Sequence, residues 1–117
     1  MQPIDRLSAE HYIWGEVCDG WRLVNRTDIS VIAERVPSGA KEKCHFHSSA
    51  RQFFFILSGC AVLEINGERV ALAEGQGLEV APGTSHQFMN ESLADVHFLV
   101  VSHPSTKGDR VEVFASK

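Results

Sequence analysis

Residues 39–59 read GAKEKCHFHSSARQFFFILSG, and they contain the pattern that decides the fold. His45 and His47 are two residues apart, so in an extended strand both side chains project from one face while Cys44 and Phe46 point away. Two imidazoles on one face form a chelating pair, but neighbouring histidines also serve as hydrogen-bonded structural residues. The pair alone leaves a metal site and a structural role open.

Two further polar side chains extend this candidate site. Gln52 opens the next apolar run and shares its parity with Phe54 and Ile56, so it is expected to point into the same interior. His86 follows a Pro-Gly turn and is expected to open another strand. The candidate metal ligands are therefore His45, His47, Gln52 and His86.

The rest of the chain consists of short apolar and β-branched runs separated by Gly, Pro, Asn and Ser. No segment keeps a long three-to-four-residue period, so the pattern predicts a β protein. Asn66-Gly67 is typical of a type I′ hairpin turn, because both positions of that turn need positive φ. Short strands at this spacing indicate a sandwich or barrel. Candidate strands cover residues 21–24, 29–36, 43–47, 51–57, 61–65, 68–72, 77–80, 85–90 and 96–102, with 111–114 as a candidate edge strand.

The start of the chain is ambiguous, because residues 8–10 could open a short helix or lie over the barrel. The 117 residues suffice for one domain with its own core, so residues 1–117 are expected to form a single domain. A net charge of −4, with Lys and Arg spread along the chain, argues against nucleic acid or a membrane as partner. Three cysteines outside any CxxC spacing and no apolar leader predict reduced thiols and a cytoplasmic location.

With these residues in place, the chain resembles the cupin superfamily. The first cupin motif, G-x5-H-x-H-x3–4-E-x6-G, fits at full spacing. The second, G-x5-P-x-G-x2-H-x3-N, also fits at full spacing, but its proline lies one residue later in this chain. The matching positions are Gly39, His45, His47, Gln52 and Gly59 in the first motif and Gly75, Gly83, His86 and Asn90 in the second. Gln52 replaces the family's glutamate, and Ala81 replaces its proline, with Pro82 directly after.

The resemblance covers about residues 30–102 and implies an all-β fold, a double-stranded β-helix or jelly-roll barrel. The N-terminal segment and the C-terminal tail are expected to pack on this barrel. The resemblance also implies one metal near the open end of the barrel, bound by three imidazoles and one carboxyl-type oxygen. Imidazole suits Mn, Fe, Ni, Cu and Zn alike, so the identity of the divalent transition metal stays open.

The replacement of Glu by Gln52 has an electrostatic consequence. Neutral ligands leave a divalent ion with its full charge, so the site should favour an anionic small-molecule ligand and acidify bound water more strongly. Apolar side chains around the metal are expected to line a pocket for such a ligand, although each could equally belong to the core. These candidates are Trp14, Phe54, Ile56, Phe88 and Phe98.

Other polar residues receive weaker assignments. On the third candidate strand, one of Glu34 and Arg35 should point inward, where it could hydrogen-bond substrate. A surface or hydrogen-bonded position is expected for the remaining ones, which are His11, Arg51, His97 and His103.

The outer face of the strand that carries Gln52 is predicted to be apolar. Phe53, Phe55 and Leu57 alternate with the inward residues and would leave a stripe exposed in a monomer. Such stripes usually mark an interface, so we expect a homodimer formed sheet against sheet.

Two classes of function remain open. In the first, the protein is a metal-dependent enzyme, an oxidoreductase (dioxygenase), isomerase, lyase or decarboxylase acting on a small anionic or carbonyl-bearing metabolite. In the second, it is a non-catalytic metal- or ligand-binding cupin that serves as a sensor or storage module. A sugar-nucleotide epimerase is a weaker alternative, because such cupins keep a His/Asp base rather than a full set of metal ligands. The enzyme is favoured, although this fold hosts many chemistries.

Overall fold

The computed structural model describes residues 1–114, and all regular elements in that range are β-strands. No helix in this part of the chain has the length and apolar character needed to cross a membrane. The strands are β1 (Glu10–Trp14), β2 (Cys18–Asn25), β3 (Ser30–Val36), β4 (His45–His47), β5 (Arg51–Ser58), β6 (Ala61–Ile65), β7 (Glu68–Leu72), β8 (Gly77–Val80), β9 (His86–Met89), β10 (Val96–His103) and β11 (Arg110–Glu112).

The strands form two antiparallel sheets. One has the order β1-β2-β3-β10-β5-β8 and the other the order β11-β4-β9-β6-β7. The chain therefore crosses repeatedly from one sheet to the other, as in a jelly roll. The predicted all-β double-stranded β-helix is confirmed.

Alternation of buried and exposed side chains along β5 fixes the interior of the barrel. Gln52, Phe54 and Ile56 point inward and are buried, whereas Phe53 and Leu57 point outward. In the core, the rings of Phe88 and Phe98 stack with centroids 4.0 Å apart. Burying an aromatic or aliphatic side chain of this size contributes about 1.5–3 kcal/mol to the free energy of folding. The inward side chains of the barrel are therefore a main source of stability.

Two turns agree with the sequence motifs. Asn66 and Gly67 both have positive φ, 49° and 85°, in the hairpin between β6 and β7, as a type I′ turn requires. Gly59 has a φ of 85°, and a Cβ at this position would lie 2.6 Å from the carbonyl oxygen of Asp95. Only glycine fits there, which explains the last position of the first motif.

The N-terminal region does not contain the short helix that residues 8–10 could have opened. Residues 5–9 form a tight turn, with Ala9 N donating to Asp5 O at 2.8 Å, and β1 then pairs with β2. The short helix is therefore wrong. The alternation in Glu10–Trp14 is weak because its side chains are mostly exposed, so the ladder with β2 rather than apolar patterning establishes the strand.

Several strand bounds also shift. β2 begins three residues before the predicted 21–24, because residues 18–20 continue the ladder with β1. β4 and β9 are shorter than predicted, and β11 pairs with β4 at residues 110–112 instead of 111–114. All three thiols are free, with Cys18 buried.

Candidate metal centre

Three imidazoles converge on the inner face of the second sheet. β4 presents His45 and His47 from one face, and the pairing of β4 with β9 places His86 directly opposite His45. One ring nitrogen from each of the three lies within 4.8 Å of the others. All three side chains are buried, and this cluster could bind a metal ion.

Hydrogen bonds at Nδ1 orient the three rings. Nδ1 of His45 donates to the carbonyl oxygen of Lys43 at 2.7 Å, and Nδ1 of His86 donates to that of Thr84 at 2.9 Å. Because a carbonyl oxygen can only accept, these two rings carry their proton on Nδ1. Their Nε2 lone pairs are therefore left for a ligand.

The third ring is oriented by a distant carboxylate. Nδ1 of His47 donates to Oδ1 of Asp109 at 2.8 Å, while Oδ2 of Asp109 accepts from the backbone N–H groups of Ser49 and Ala50 at 3.2 and 3.0 Å. Asp109 thus fixes both the imidazole and the turn after β4. Sequence reasoning missed this residue, since it lies 62 positions from His47 in a loop without a motif.

Gln52 lines the same cavity as His45 and His47. Its Nε2 donates to Ser102 Oγ at 3.1 Å, whereas its Oε1 is buried without a hydrogen-bond partner among the described residues. Nε2 of His86 is orphaned in the same way. Such atoms are costly to bury unless something binds them, so the four residues fit a bound metal ion. The role of Gln52 as a ligand stays a prediction.

Burial keeps the imidazoles neutral. Desolvation lowers the pKa of His45 to about 3, against a smaller opposing effect of the hydrogen bond to Lys43. Desolvation also lowers the pKa of His47 and of His86, and the neighbouring Asp109 carboxylate only partly offsets this for His47. Neutral imidazole is the form that ligates a metal, so the site is prepared for an ion at neutral pH.

A cavity of about 250 Å³ is lined by His45, His47 and Gln52. Of the five predicted pocket residues, Trp14 and Phe54 line it. Ile56, Phe88 and Phe98 do not line it and lie in the core, at most 1% exposed, which is the alternative left open for each of them. Their side chains point inward, as strand parity predicts, but they lie in the packed interior of the barrel. Strand parity does not specify how far a residue lies from the cavity.

The cavity also contains ionisable groups that the sequence did not reveal. Tyr12, Glu42 and Arg110 line it together with Glu34, the inward member of the Glu34–Arg35 pair. Tyr12 was missed because β1 was not recognised, and Glu42 and Arg110 because neither belongs to a motif. Arg35 points outward and forms ion pairs with Asp19 and Asp95.

Burial acts on both carboxyl groups. It raises the pKa of Glu34 to about 8, with the nearby Glu42 as a second cause, and it raises the pKa of Glu42 to about 7. The two acids can therefore hold protons at pH values where ordinary carboxyl groups are ionised.

The residues expected at the surface lie outside the cavity. His11 contacts Asp19, His97 contacts Arg6, and His103 donates to a backbone carbonyl. Arg51 is half-exposed and pairs with Glu79. On the outer face of β5, Phe53 and Leu57 are 42% and 45% exposed, and Phe55 is half-buried.

Residues 33–102 match the sequence model of the cupin domain, which is more than half of the chain. The chain belongs to the cupin family. Both motifs identified in the sequence lie within or next to this segment, and the resemblance is confirmed.

A relative of this cupin in Methanocaldococcus jannaschii, a protein of uncharacterised function, is 24% identical over 78 residues. These cover 67% of this chain and 62% of the relative, so the match spans less than two thirds of the relative's length.

Solved structures resemble the fold more completely. The polyketide cyclase RemF from Streptomyces resistomycificus superposes with a TM-score of 0.84 at 18% identity, covering all of this chain and 88% of RemF. A sugar phosphate isomerase of the cupin superfamily from Silicibacter pomeroyi gives 0.76 at 23% identity, covering 87% of this chain and 75% of the isomerase. At these identities the similarity shows the shared fold.

Proposed function

We propose that this cupin is a metal-dependent enzyme that acts on a small anionic or carbonyl-bearing metabolite. The observation that carries the proposal is the cluster of three neutral imidazoles, in which His86 Nε2 is buried without a partner among the described residues, as is the Oε1 of Gln52. A metal ion bound by these atoms would lie at the wall of a cavity that also holds acidic and basic groups. Ligands beside open space and proton-exchanging groups are typical of a catalytic site.

The donor set favours a divalent transition metal such as Mn, Fe, Ni, Cu or Zn, since imidazole nitrogen is common to the sites of all five. When bound, such an ion would supply Lewis-acid polarisation of a coordinated oxygen. All four protein donors are neutral, which supports a preference for anionic ligands.

Other residues of the cavity would bind the ligand and exclude water. Arg110 at the cavity wall offers a guanidinium group to a carboxylate or phosphate. Trp14 and Phe54 supply apolar surface that excludes water around the ligand's carbon skeleton. The cavity volume of about 250 Å³ suits a ligand of only a few carbon atoms. RemF is a cyclase and the Silicibacter protein an isomerase, so the shared fold supports catalysis by analogy.

We also propose a homodimer, supported by the exposed apolar face formed by Phe53 and Leu57 on β5. The cytoplasmic location stays a prediction from the sequence.

An activity screen tests the enzymatic proposal. Metal-loaded and metal-free protein are each incubated with a panel of small 2-oxo acids, hydroxy acids and diketones. Oxygen uptake detects oxygenation, and NMR of the mixtures detects isomerisation, cleavage or decarboxylation. We expect turnover that requires added metal and disappears in His47→Ala. Metal binding without turnover of any compound would contradict the enzyme and favour the sensor or storage module.

A further inference from the structure

The position of Glu34 depends on residues of three adjacent strands, β1, β2 and β3. Tyr12 on β1 pairs with Gly20 on β2, and Gly20 pairs with Glu34 on β3, so the three residues form one row across the sheet. A Cβ at Gly20 would overlap the ring of Tyr12. The glycine therefore lets the Tyr12 ring lie across β2, and its hydroxyl reaches Glu34 Oε2 at 3.5 Å.

The two cavity carboxyl groups differ in how they are held. Oε1 of Glu42 accepts a hydrogen bond from the backbone N–H of Phe88 at 2.9 Å, which ties this side chain to β9. The contact of Glu34 with the Tyr12 hydroxyl is at the limit of hydrogen-bond length. Glu34 is thus the less constrained of the two acids, which suits proton exchange with a bound molecule.

We propose that Glu34 is the acid–base residue of the cavity and that it moves a proton at a carbon next to the carbonyl group of a small anionic oxo compound. This inference rests on the proposed function and specifies its reaction as enolisation. Arg110, on the same cavity wall, would hold the anionic end of the molecule.

The step balances without an oxidant or reductant. The Glu34 carboxylate forms an O–H bond with the proton as the C–H bond breaks. The C–H electron pair becomes the carbon–carbon double bond of an enolate, and the carbonyl π pair moves onto oxygen. Return of the proton from Glu34 to carbon restores the carbonyl, and exchange of that proton with solvent labels the carbon.

The cavity environment supports this role. Burial and the Glu42 charge raise the pKa of Glu34 to about 8, which makes its carboxylate a stronger base than an ordinary one. The titratable and charged groups that face Glu34 are Tyr12 on β1, Cys18 and Arg22 on β2, Glu42 before β4, His45 and His47 on β4, and Arg110 on β11.

Solvent-deuterium exchange measures the step directly. Zinc-loaded protein in D2O is incubated with pyruvate, 2-oxobutyrate and hydroxypyruvate, and proton NMR follows loss of the C–H signal next to the carbonyl. We expect exchange above the buffer rate for at least one probe and a loss of about 100-fold or more in Glu34→Gln. Glu34→Asp keeps the carboxyl group on a side chain that is one methylene shorter, so its exchange rate should be intermediate.

Two controls separate chemistry from binding. Glu79→Gln removes a carboxylate on the outside of the barrel and should exchange like the wild type. In a Trp21→Phe background, Trp14 fluorescence reports pyruvate binding with and without zinc. The Glu34→Gln dissociation constant should stay within about threefold of the wild-type value, so that the loss falls on kcat rather than on KM.

The outcomes distinguish this inference from the proposed function. Zinc binding seen by calorimetry, together with exchange that is absent for all probes or unchanged in Glu34→Gln, overturns the role of Glu34 and leaves the metal site intact. Failure of the wild type to bind zinc or any other transition metal overturns the proposed function itself.

Discussion

Gln52 and Ser102 face each other across β5 and β10, and Nε2 of Gln52 donates to Oγ of Ser102 at 3.1 Å. In this orientation of the amide, Oε1, the atom able to ligate a metal, is left without a hydrogen-bond partner among the described residues. A serine on the neighbouring strand thus holds the amide nitrogen while the amide oxygen stays available to a ligand.

Gln52→Glu should retain the metal, bind it more tightly, and weaken the binding of anions. The new carboxylate adds a negative charge to a neutral donor set, which attracts the cation and repels an anionic ligand. Calorimetric titration with zinc, followed by oxalate, measures both effects. Gln76→Glu, in an exposed turn, is the matched control. Unchanged affinity for both ions would show that Gln52 is not a ligand.

Asp109→Ala should lower metal affinity by about 10- to 100-fold, because His47 loses the carboxylate that fixes its ring and tautomer. Asp109→Asn keeps an acceptor without the charge and should lose less. The measurement is zinc affinity by competition with a chromophoric chelator. Asp95→Ala provides the control, since Asp95 is an exposed carboxylate that pairs with Arg35. Equal affinities in Asp109→Ala and Asp95→Ala would rule out this positioning role.

The clustering of the three histidines was predictable from the sequence because strand parity and motif spacing are local properties. His45 and His47 follow from a two-residue period, and the Pro-Gly turn places His86 at the start of a strand. Asp109 and Arg110 could not be predicted in the same way. They reach the site only because β11 pairs with β4, a contact between segments about sixty residues apart.

The sequence also did not indicate how deep in the barrel an inward side chain lies. Phe54 and Phe88 share the inward orientation, but only Phe54 borders the cavity. Tyr12 shows the opposite case, because its strand has little apolar alternation and is recognisable only through its pairing with β2. Sequence periodicity thus gives the direction of a side chain, whereas its neighbours come from the assembled barrel.

Stability of the metal-free protein should depend on pH through Glu34. The folded pKa of about 8 lies above the ordinary value of 4.5, so between these values the folded state holds a proton that the unfolded state releases. Unfolding is then favoured as pH rises, and this carboxyl group lowers stability progressively from pH 4.5 to 8. The slope is at most about 1.4 kcal/mol per pH unit.

Glu34→Gln removes this dependence while leaving the histidines unchanged. Urea unfolding of both proteins at several pH values should show the wild type losing stability relative to Glu34→Gln as pH rises through this window. Parallel curves from pH 4.5 to 8 would contradict the raised pKa.

The proposed dimer predicts that light scattering at micromolar concentration gives twice the mass of one chain. Leu57→Asp places a charge in the exposed apolar face and should yield monomers, whereas Leu93→Asp, at an exposed site outside β5, should not. A wild-type mass equal to one chain would refute the dimer.

Metal content and affinity test the central assignment most directly. Elemental analysis of the purified wild type, combined with calorimetric titration of the chelator-treated protein with Mn, Fe, Ni, Cu and Zn, should give one ion per chain. His86→Ala, which removes the orphaned buried Nε2, should bind that ion at least about 100-fold more weakly. Absence of metal in independent preparations, with no binding of any of the five ions, would contradict the metal centre.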